Sequence, residues 1–214
     1  MKSIILNDVV PEIFAQRGDL RSDIWHKKVV FEKGLTYLVE AASGQGKSSL
    51  CSYLYGQRGD YRGSILFDDD DISRFDTRHW SRIRRNHLSI LFQEMRLFPE
   101  LTAMENVRIK NQITRSQSIA TIGRWFEELG IADKRDVPVA KMSYGQQQRV
   151  ALIRALCQPF DFLLLDEPIS HLDEHNGNIM RDMILSEARR IGAGVISTSI
   201  GRHLNMEYDK VLSL

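Results

Sequence analysis

The octapeptide Ala41-Ala42-Ser43-Gly44-Gln45-Gly46-Lys47-Ser48 follows an apolar, strand-like stretch at residues 37–39 and precedes a helical pattern from Ser49. That order of strand, glycine loop and helix constrains the fold more than any other feature of the chain. Glycines let the backbone curl until several N–H groups face one anion, and the start of the helix adds a favourable dipole. Lys47 is then placed to reach the β- and γ-phosphates of a nucleotide, and the Ser48 hydroxyl to ligate Mg²⁺. The residues expected around the phosphates are Ala41, Ala42, Ser43, Gly44, Gln45, Gly46, Lys47, Ser48 and Ser49. Ala41 stands where such loops usually carry their first glycine, which adds one methyl group to the approach.

A second anchor is Phe162-Leu163-Leu164-Leu165-Asp166-Glu167-Pro168, an apolar run that delivers two carboxylates at its end. Sheets of alternating strands and helices place ligands at the ends of their strands. Asp166 is expected to hold Mg²⁺ through water, because hard cations favour oxygen. Glu167 is expected to polarise an attacking water, since phosphoryl transfer chiefly needs a positioned nucleophile and compensated charge. On its own the run reads equally well as a strand ending in two solvated acids; the upstream loop decides for the site.

Short β-branched and apolar runs at residues 4–6, 29–31, 37–39, 65–67, 89–92, 162–165, 195–197 and 211–214 predict strands. The spacing of Ile119, Ile122, Phe126 and Leu129 predicts a helix, and Ile179, Met183 and Ile184 share a stripe on another. Strands alternating with helices imply an α/β fold with a mainly parallel sheet. The closely spaced strands of the first third, punctuated by Gly34, Gly59 and Gly63, suit an antiparallel sheet, while residues 97–156 read as mostly helical. The acidic run 68–71 follows a strand and reads as a solvated turn rather than a metal site.

Composition excludes several classes. The 214 residues carry 29 Lys and Arg against 28 Asp and Glu, so no global field recruits nucleic acid or anionic lipid. No apolar run reaches the roughly 18 to 20 residues that span a bilayer, and the first residues lack the pattern of a secretion signal, so a cytoplasmic chain is expected. The two cysteines, Cys51 and Cys157, have apolar or small neighbours and suit packing better than a disulfide or metal framework. A basic cluster with Trp80 interleaved (Arg78, His79, Arg82, Arg84, Arg85, His87) invites a nucleic-acid reading, but beside Ile83 and Leu88 it fits the solvated face of a packed helix better.

Lys141-Met142-Ser143-Tyr144-Gly145-Gln146-Gln147-Gln148-Arg149-Val150 resembles the signature of the ABC ATPase family, and with the two anchors the resemblance extends over essentially the whole chain. It implies a P-loop NTPase, RecA-like core with an N-terminal antiparallel β subdomain and a helical subdomain inserted at about 97–156, all in one domain spanning 1–214. Ser143, Gly145 and Gln146 would cap the nucleotide bound by a second subunit, in agreement with anion binding at a helix start. Gln93 matches the Q-loop glutamine that contacts Mg²⁺ and water and relays nucleotide state to a membrane partner; catalysis would fall to Glu167, Gln93 and Lys47, and metal binding to Ser48, Gln93 and Asp166. Ser170-His171-Leu172-Asp173 matches the D-loop, with Asp173 at the dimer interface. Residues 96–107 are similar to subunits of lipoprotein-release, macrolide-export and cell-division complexes. The resemblance implies ATP and Mg²⁺ as cofactors, a second ABC ATPase subunit, an integral membrane permease as partner, a peripheral place on the cytoplasmic face, and no nucleic-acid partner. The aromatic that stacks on adenine is expected to be Phe14, with Trp25 as the alternative.

Two positions depart from the family pattern. Tyr144 replaces the first signature glycine, putting a ring where backbone approaches nucleotide, although its hydroxyl has a proton to donate to phosphate. Ser199, at the end of residues 195–199, takes the place of the switch histidine, and a shorter hydroxyl reproduces that contact poorly. His203, four residues on, reads as a surface residue. Slow but genuine hydrolysis is therefore expected, with an ATP-binding regulatory module of little turnover as the alternative.

Overall fold

The computed structural model describes residues 1–17, 20–42, 44–169, 172–201 and 203–214. Its first third is β1 (Ser3–Pro11), β2 (Lys28–Glu32), β3 (Thr36–Glu40), α1 (Lys47–Leu54), β4 (Tyr61–Phe67) and the two-residue β5 (Asp70–Asp71). There follow α2 (Thr77–Asn86), β6 (Leu88–Leu91), α3 (Ala103–Thr114), α4 (Ile119–Glu128), α5 (Tyr144–Leu156), β7 (Phe162–Asp166), α6 (Glu174–Ile191), β8 (Gly194–Ser199) and β9 (Lys210–Ser213).

These strands form two sheets. An antiparallel sheet has the order β2-β1-β4-β5, and a parallel sheet the order β6-β7-β8-β3-β9. β7 is buried along its whole length, which is why its sequence is uninterruptedly apolar until Asp166. Its side chains alternate between two cores. Leu163 and Leu165 enter a core with Val107, Phe126 and Val150 from the helices, whereas Phe162 and Leu164 enter one with Ile4, Phe31 and Tyr37 between the sheets.

Local chemistry sets the helix starts. Thr102 and Ser143 each form a reciprocal capping box with a residue three further on, Glu105 and Gln146, at the heads of α3 and α5. Asp76, Ser118 and Asp173 cap α2, α4 and α6 with their side chains. α6 ends at Gly192, whose φ of 65° is left-handed.

Among the boundaries that differ from the sequence expectation, two lie beside the loop and its neighbouring strand. Phe92 lies beyond the end of β6 and turns from the sheet to meet Tyr55 edge to face, with ring centroids 5.6 Å apart. α1 begins at Lys47 rather than Ser49, because Gly46, with φ of 100°, supplies the left-handed residue from which the helix can start at once. The acidic run is a turn and a cap: Asp68 accepts the N–H groups of Lys2 and Ser3, and Asp71 that of Ser73. Among the described residues there is no group of three or more His, Cys, Asp or Glu placed to hold a metal. Both cysteine thiols are buried, and burial pushes their ionisation up.

Candidate functional site

Sheet register assembles the site. β3, β6 and β7 run parallel with Leu91 opposite Leu165, so the residues after each strand emerge on one side. After β3 comes the glycine loop, after β6 Gln93, and at the end of β7 Asp166 and Glu167.

The loop is braced from below. A side chain at Gly46 would meet the Trp25 ring at 3.1 Å and the Phe14 ring at 3.2 Å, so both aromatics form the loop's floor. The Trp25 indole N–H donates to the Gln45 carbonyl at 3.2 Å, and the Gln45 side chain accepts the Ala42 N–H at 2.9 Å. Phe14 is 4% exposed and Trp25 2%, and the Arg17 guanidinium lies 4.9 Å from the Phe14 ring centre. Both rings proposed for adenine stacking are thus largely covered in this chain. A base laid on Phe14 would first have to displace Arg17, and Trp25 packs beneath the loop.

Lys47, buried on α1, donates from Nζ to the carbonyls of Ala41 at 2.9 Å and Ala42 at 3.0 Å and stands 3.9 Å from Glu167. Burial lowers its pKa, and the Glu167 and Asp166 carboxylates work against that shift. Asp166 Oδ1 accepts from the Thr198 hydroxyl at 2.9 Å, with the Ser48 hydroxyl 3.5 Å away. Burial raises the Asp166 pKa, while Thr198, Ser48, Lys47 and Arg96 pull it down. Glu167 has φ of 51°, an uncommon conformation for a side-chain-bearing residue and one concentrated at functional sites. Its Oε2 accepts from the Gln93 amide at 3.1 Å, and its backbone N–H donates to the Thr198 hydroxyl at 3.3 Å.

Ser48, Gln93 and Asp166 line one cavity of about 130 Å³ together with Arg96. A hydroxyl, an amide and a carboxylate form an all-oxygen donor set of the kind that Mg²⁺ takes alongside substrate phosphates. Gly44, within the loop, has φ of 81°, and the Ser49 hydroxyl accepts from Arg58 at 3.0 Å.

Ser143, Gly145 and Gln146 sit apart from this cluster in sequence, at the head of α5. Ser143 and Gln146 bond each other across the cap, and a side chain at Gly145 would meet Leu172 at 3.1 Å. The Tyr144 hydroxyl donates to the Gln93 carbonyl of the same chain at 3.1 Å, not outward to a phosphate. Asp173 caps α6 through Asn176, whose side-chain oxygen accepts from Arg149 of α5 at 2.7 Å. Ser199 is fully buried at the end of β8, and its carbonyl accepts the Ala41 N–H at 3.2 Å. His203 is exposed, with its ring edge on Tyr208. Ser43, Ser170 and His171 lie outside the described residues.

Sequence reasoning missed Thr198, whose hydroxyl serves both acidic residues. It also missed Arg96 in the Gln93 loop and Arg154 of α5, which holds that loop. The parallel register of Asp166 opposite Thr198 was the only available signal for the first, and it is invisible before the strands are paired. Part of the basic cluster is engaged internally: Arg84 donates to the carbonyls of Tyr55 and Gly56, Arg85 to that of Ile113, and His79 stacks on Phe75, while Arg78 and Arg82 are exposed.

A glycine loop running into a helix at the end of a parallel strand, with a lysine inside it and two acids at the end of a neighbouring strand, defines a P-loop nucleotide-binding domain. The profile of the ABC transporter family matches residues 28–170. The uncharacterised ABC transporter ATP-binding protein YbbA of Escherichia coli K12 is 31% identical over 191 residues, covering 87% of this chain and 83% of YbbA. The macrolide export ATP-binding/permease protein MacB of Shewanella sp. strain ANA-3 is 30% identical over 188 residues, and the chain spans 85% of itself but only 28% of MacB. A dimeric bacterial ABC transporter cassette has the same fold, with a TM-score of 0.76, 24% identity, and coverage of 92% of this chain and 87% of that one. This chain belongs to the ABC transporter family.

Proposed function

We propose that this cassette binds Mg-ATP and hydrolyses it slowly to drive a separate membrane permease. The observation that supports this best is the convergence of Lys47, Ser48, Gln93, Asp166 and Glu167 from three parallel strands. Lys47 neutralises the phosphates, Ser48 and Asp166 hold the cation with Gln93 beside them, and Glu167, oriented by Gln93, accepts hydrogen from the attacking water. Mg²⁺ supplies charge compensation on the transferring phosphoryl group. The backbone of Ala41, Ala42, Gly44, Gln45, Gly46 and Ser49 surrounds the phosphates. A second copy contributes Ser143, Gly145 and Gln146 over the nucleotide, with Asp173 near the interface.

No helix among the described residues is long and apolar enough to cross a membrane. MacB is named as an ATP-binding and permease protein, and this chain matches only part of it. That printed name, which joins ATP binding to a permease, supports a membrane permease as partner, with the cassette peripheral on the cytoplasmic face and residues 97–156 as its helical subdomain. Ser199 at the switch position favours a second reading, an ATP-binding module that signals by dimerising with little turnover.

Phosphate release with and without Mg²⁺, compared between the wild type and Glu167→Gln, tests the reading. Loss of a group that acts in the transition state costs about 10²- to 10³-fold, so a fall of that size is expected. Equal rates in both proteins, with ATP binding retained, would support the regulatory module instead.

A further inference from the structure

The four residues 93–96 carry Gln93 away from β6 in an unusual path. Met95 and Arg96 have φ of 57° and 51°, two consecutive side-chain-bearing residues in the left-handed region. Such a path persists only where its surroundings over-determine it, and here the surroundings belong mainly to α5. Tyr144, at the first turn of α5, donates to the Gln93 carbonyl at 3.1 Å. Arg154, in the last turn, donates to the Arg96 carbonyl at 2.6 Å and to the Met95 carbonyl. Three of the loop's four carbonyls are therefore held by one helix. Within the loop, the Arg96 guanidinium lies 4.0 Å over the Phe92 ring, and Gln93 reaches Glu167 at 3.1 Å.

Tyr144 is 40% exposed, and its hydroxyl makes the hydrogen bond that ties it to the Gln93 loop. We propose that Tyr144 is a positioning residue which, with Arg154, fastens the Gln93 loop to α5 and so couples the turn 143–146 to Glu167 within one chain. Any force on that turn, such as a second copy closing over it, is transmitted from Tyr144 to the Gln93 backbone and from the Gln93 amide to the Glu167 carboxylate. A glycine at position 144 has no side chain with which to make this link. The assignment rests on the ATPase reading of the site, but the link itself is independent of turnover.

The test compares the wild type with Tyr144→Phe, which keeps the ring and removes only the hydroxyl. Amide hydrogen exchange is followed over residues 93–97 with and without Mg-ATP, together with kcat, KM for Mg-ATP and thermal stability. Losing one hydrogen bond of ordinary strength corresponds to about fivefold in an opening equilibrium. The expected result is exchange faster by about that factor, a weaker protective effect of Mg-ATP on this segment, and a fall in kcat with KM unchanged. Exchange and nucleotide protection that match the wild type would overturn the proposal. So would faster exchange with unchanged kcat in a protein whose wild type turns over. Should the wild type prove inactive, the ATPase reading fails by itself, and the exchange arm still decides whether Tyr144 holds the loop. Arg154→Lys, which cannot bond two carbonyls in the same fork, should speed exchange over the same segment, and its failure to do so would count equally against the clamp.

Discussion

Replacing Thr198 by valine tests the geometry of the acidic pair with almost no change of shape. Both side chains are β-branched and of similar size, so β8 keeps its conformation and no cavity opens. What disappears is one hydroxyl with two duties. Its single proton goes to Asp166 Oδ1 at 2.9 Å rather than to the Leu165 carbonyl at 3.4 Å, and its oxygen accepts the Glu167 N–H at 3.3 Å. A hydrogen bond to a charged group contributes about 1.5–3 kcal/mol, and a buried N–H left without an acceptor costs about 1–3 kcal/mol. Allowing for relaxation, Thr198→Val should destabilise the fold by about 2–5 kcal/mol. For a domain of this size, where 1 kcal/mol moves the midpoint by about 2–4 °C, the melting temperature should fall by about 5–15 °C. The acidic limb of Mg-dependent ATP turnover should also move to higher pH. Burial already raises the Asp166 pKa, and Thr198 is first among the groups that lower it, so its loss leaves less carboxylate at a given acidic pH. Differential scanning calorimetry and a pH profile measure the two effects. A melting temperature within about 2 °C of the wild type and an unmoved acidic limb would refute the assignment of Thr198 as the residue that holds Asp166 and Glu167.

Other outcomes follow from the same structure. Ser199→His should speed phosphate release by about 10- to 100-fold by restoring a transition-state donor, while overpacking a fully buried position at a cost of about 1–3 kcal/mol; a folded variant with unchanged turnover would show that Ser199 does not limit the rate. Asp161 receives the Met1 ammonium at 2.7 Å, His87 at 2.6 Å and Lys33. Burial pushes its carboxyl up, but these three donors together hold it below the ordinary value. A depressed pKa stabilises the fold above the unfolded value, about 3.9, and that stability is lost as pH falls through the folded value. Asp161→Asn should therefore be less stable than the wild type at neutral pH by about 1–3 kcal/mol, with the gap closing below about pH 4. Urea midpoints at neutral and acidic pH would show it, and a gap that stays constant through the acidic range would sink the explanation.

The amino-acid sequence determined the chemistry of the site through short-range pattern. Strand, glycine loop and helix at 37–54, and an apolar run ending in Asp166 and Glu167, are local features whose physics does not depend on distant residues. The alternation of strands with helices was legible for the same reason. Tertiary structure alone decided what each side chain touches. Phe14 and Trp25 are aromatic residues upstream of the loop, and nothing in their neighbourhood distinguishes a stacking platform from a floor; the left-handed Gly46 brought down upon them makes them a floor. Thr198 and Asp166 are 32 residues apart and meet only because β7 and β8 pair in parallel. Tyr144 and Gln93 are 51 residues apart, and their bond depends on how α5 packs across the end of the sheet. Contacts of that separation are set by strand register and helix packing, which depend on the whole core rather than on any local run of residues.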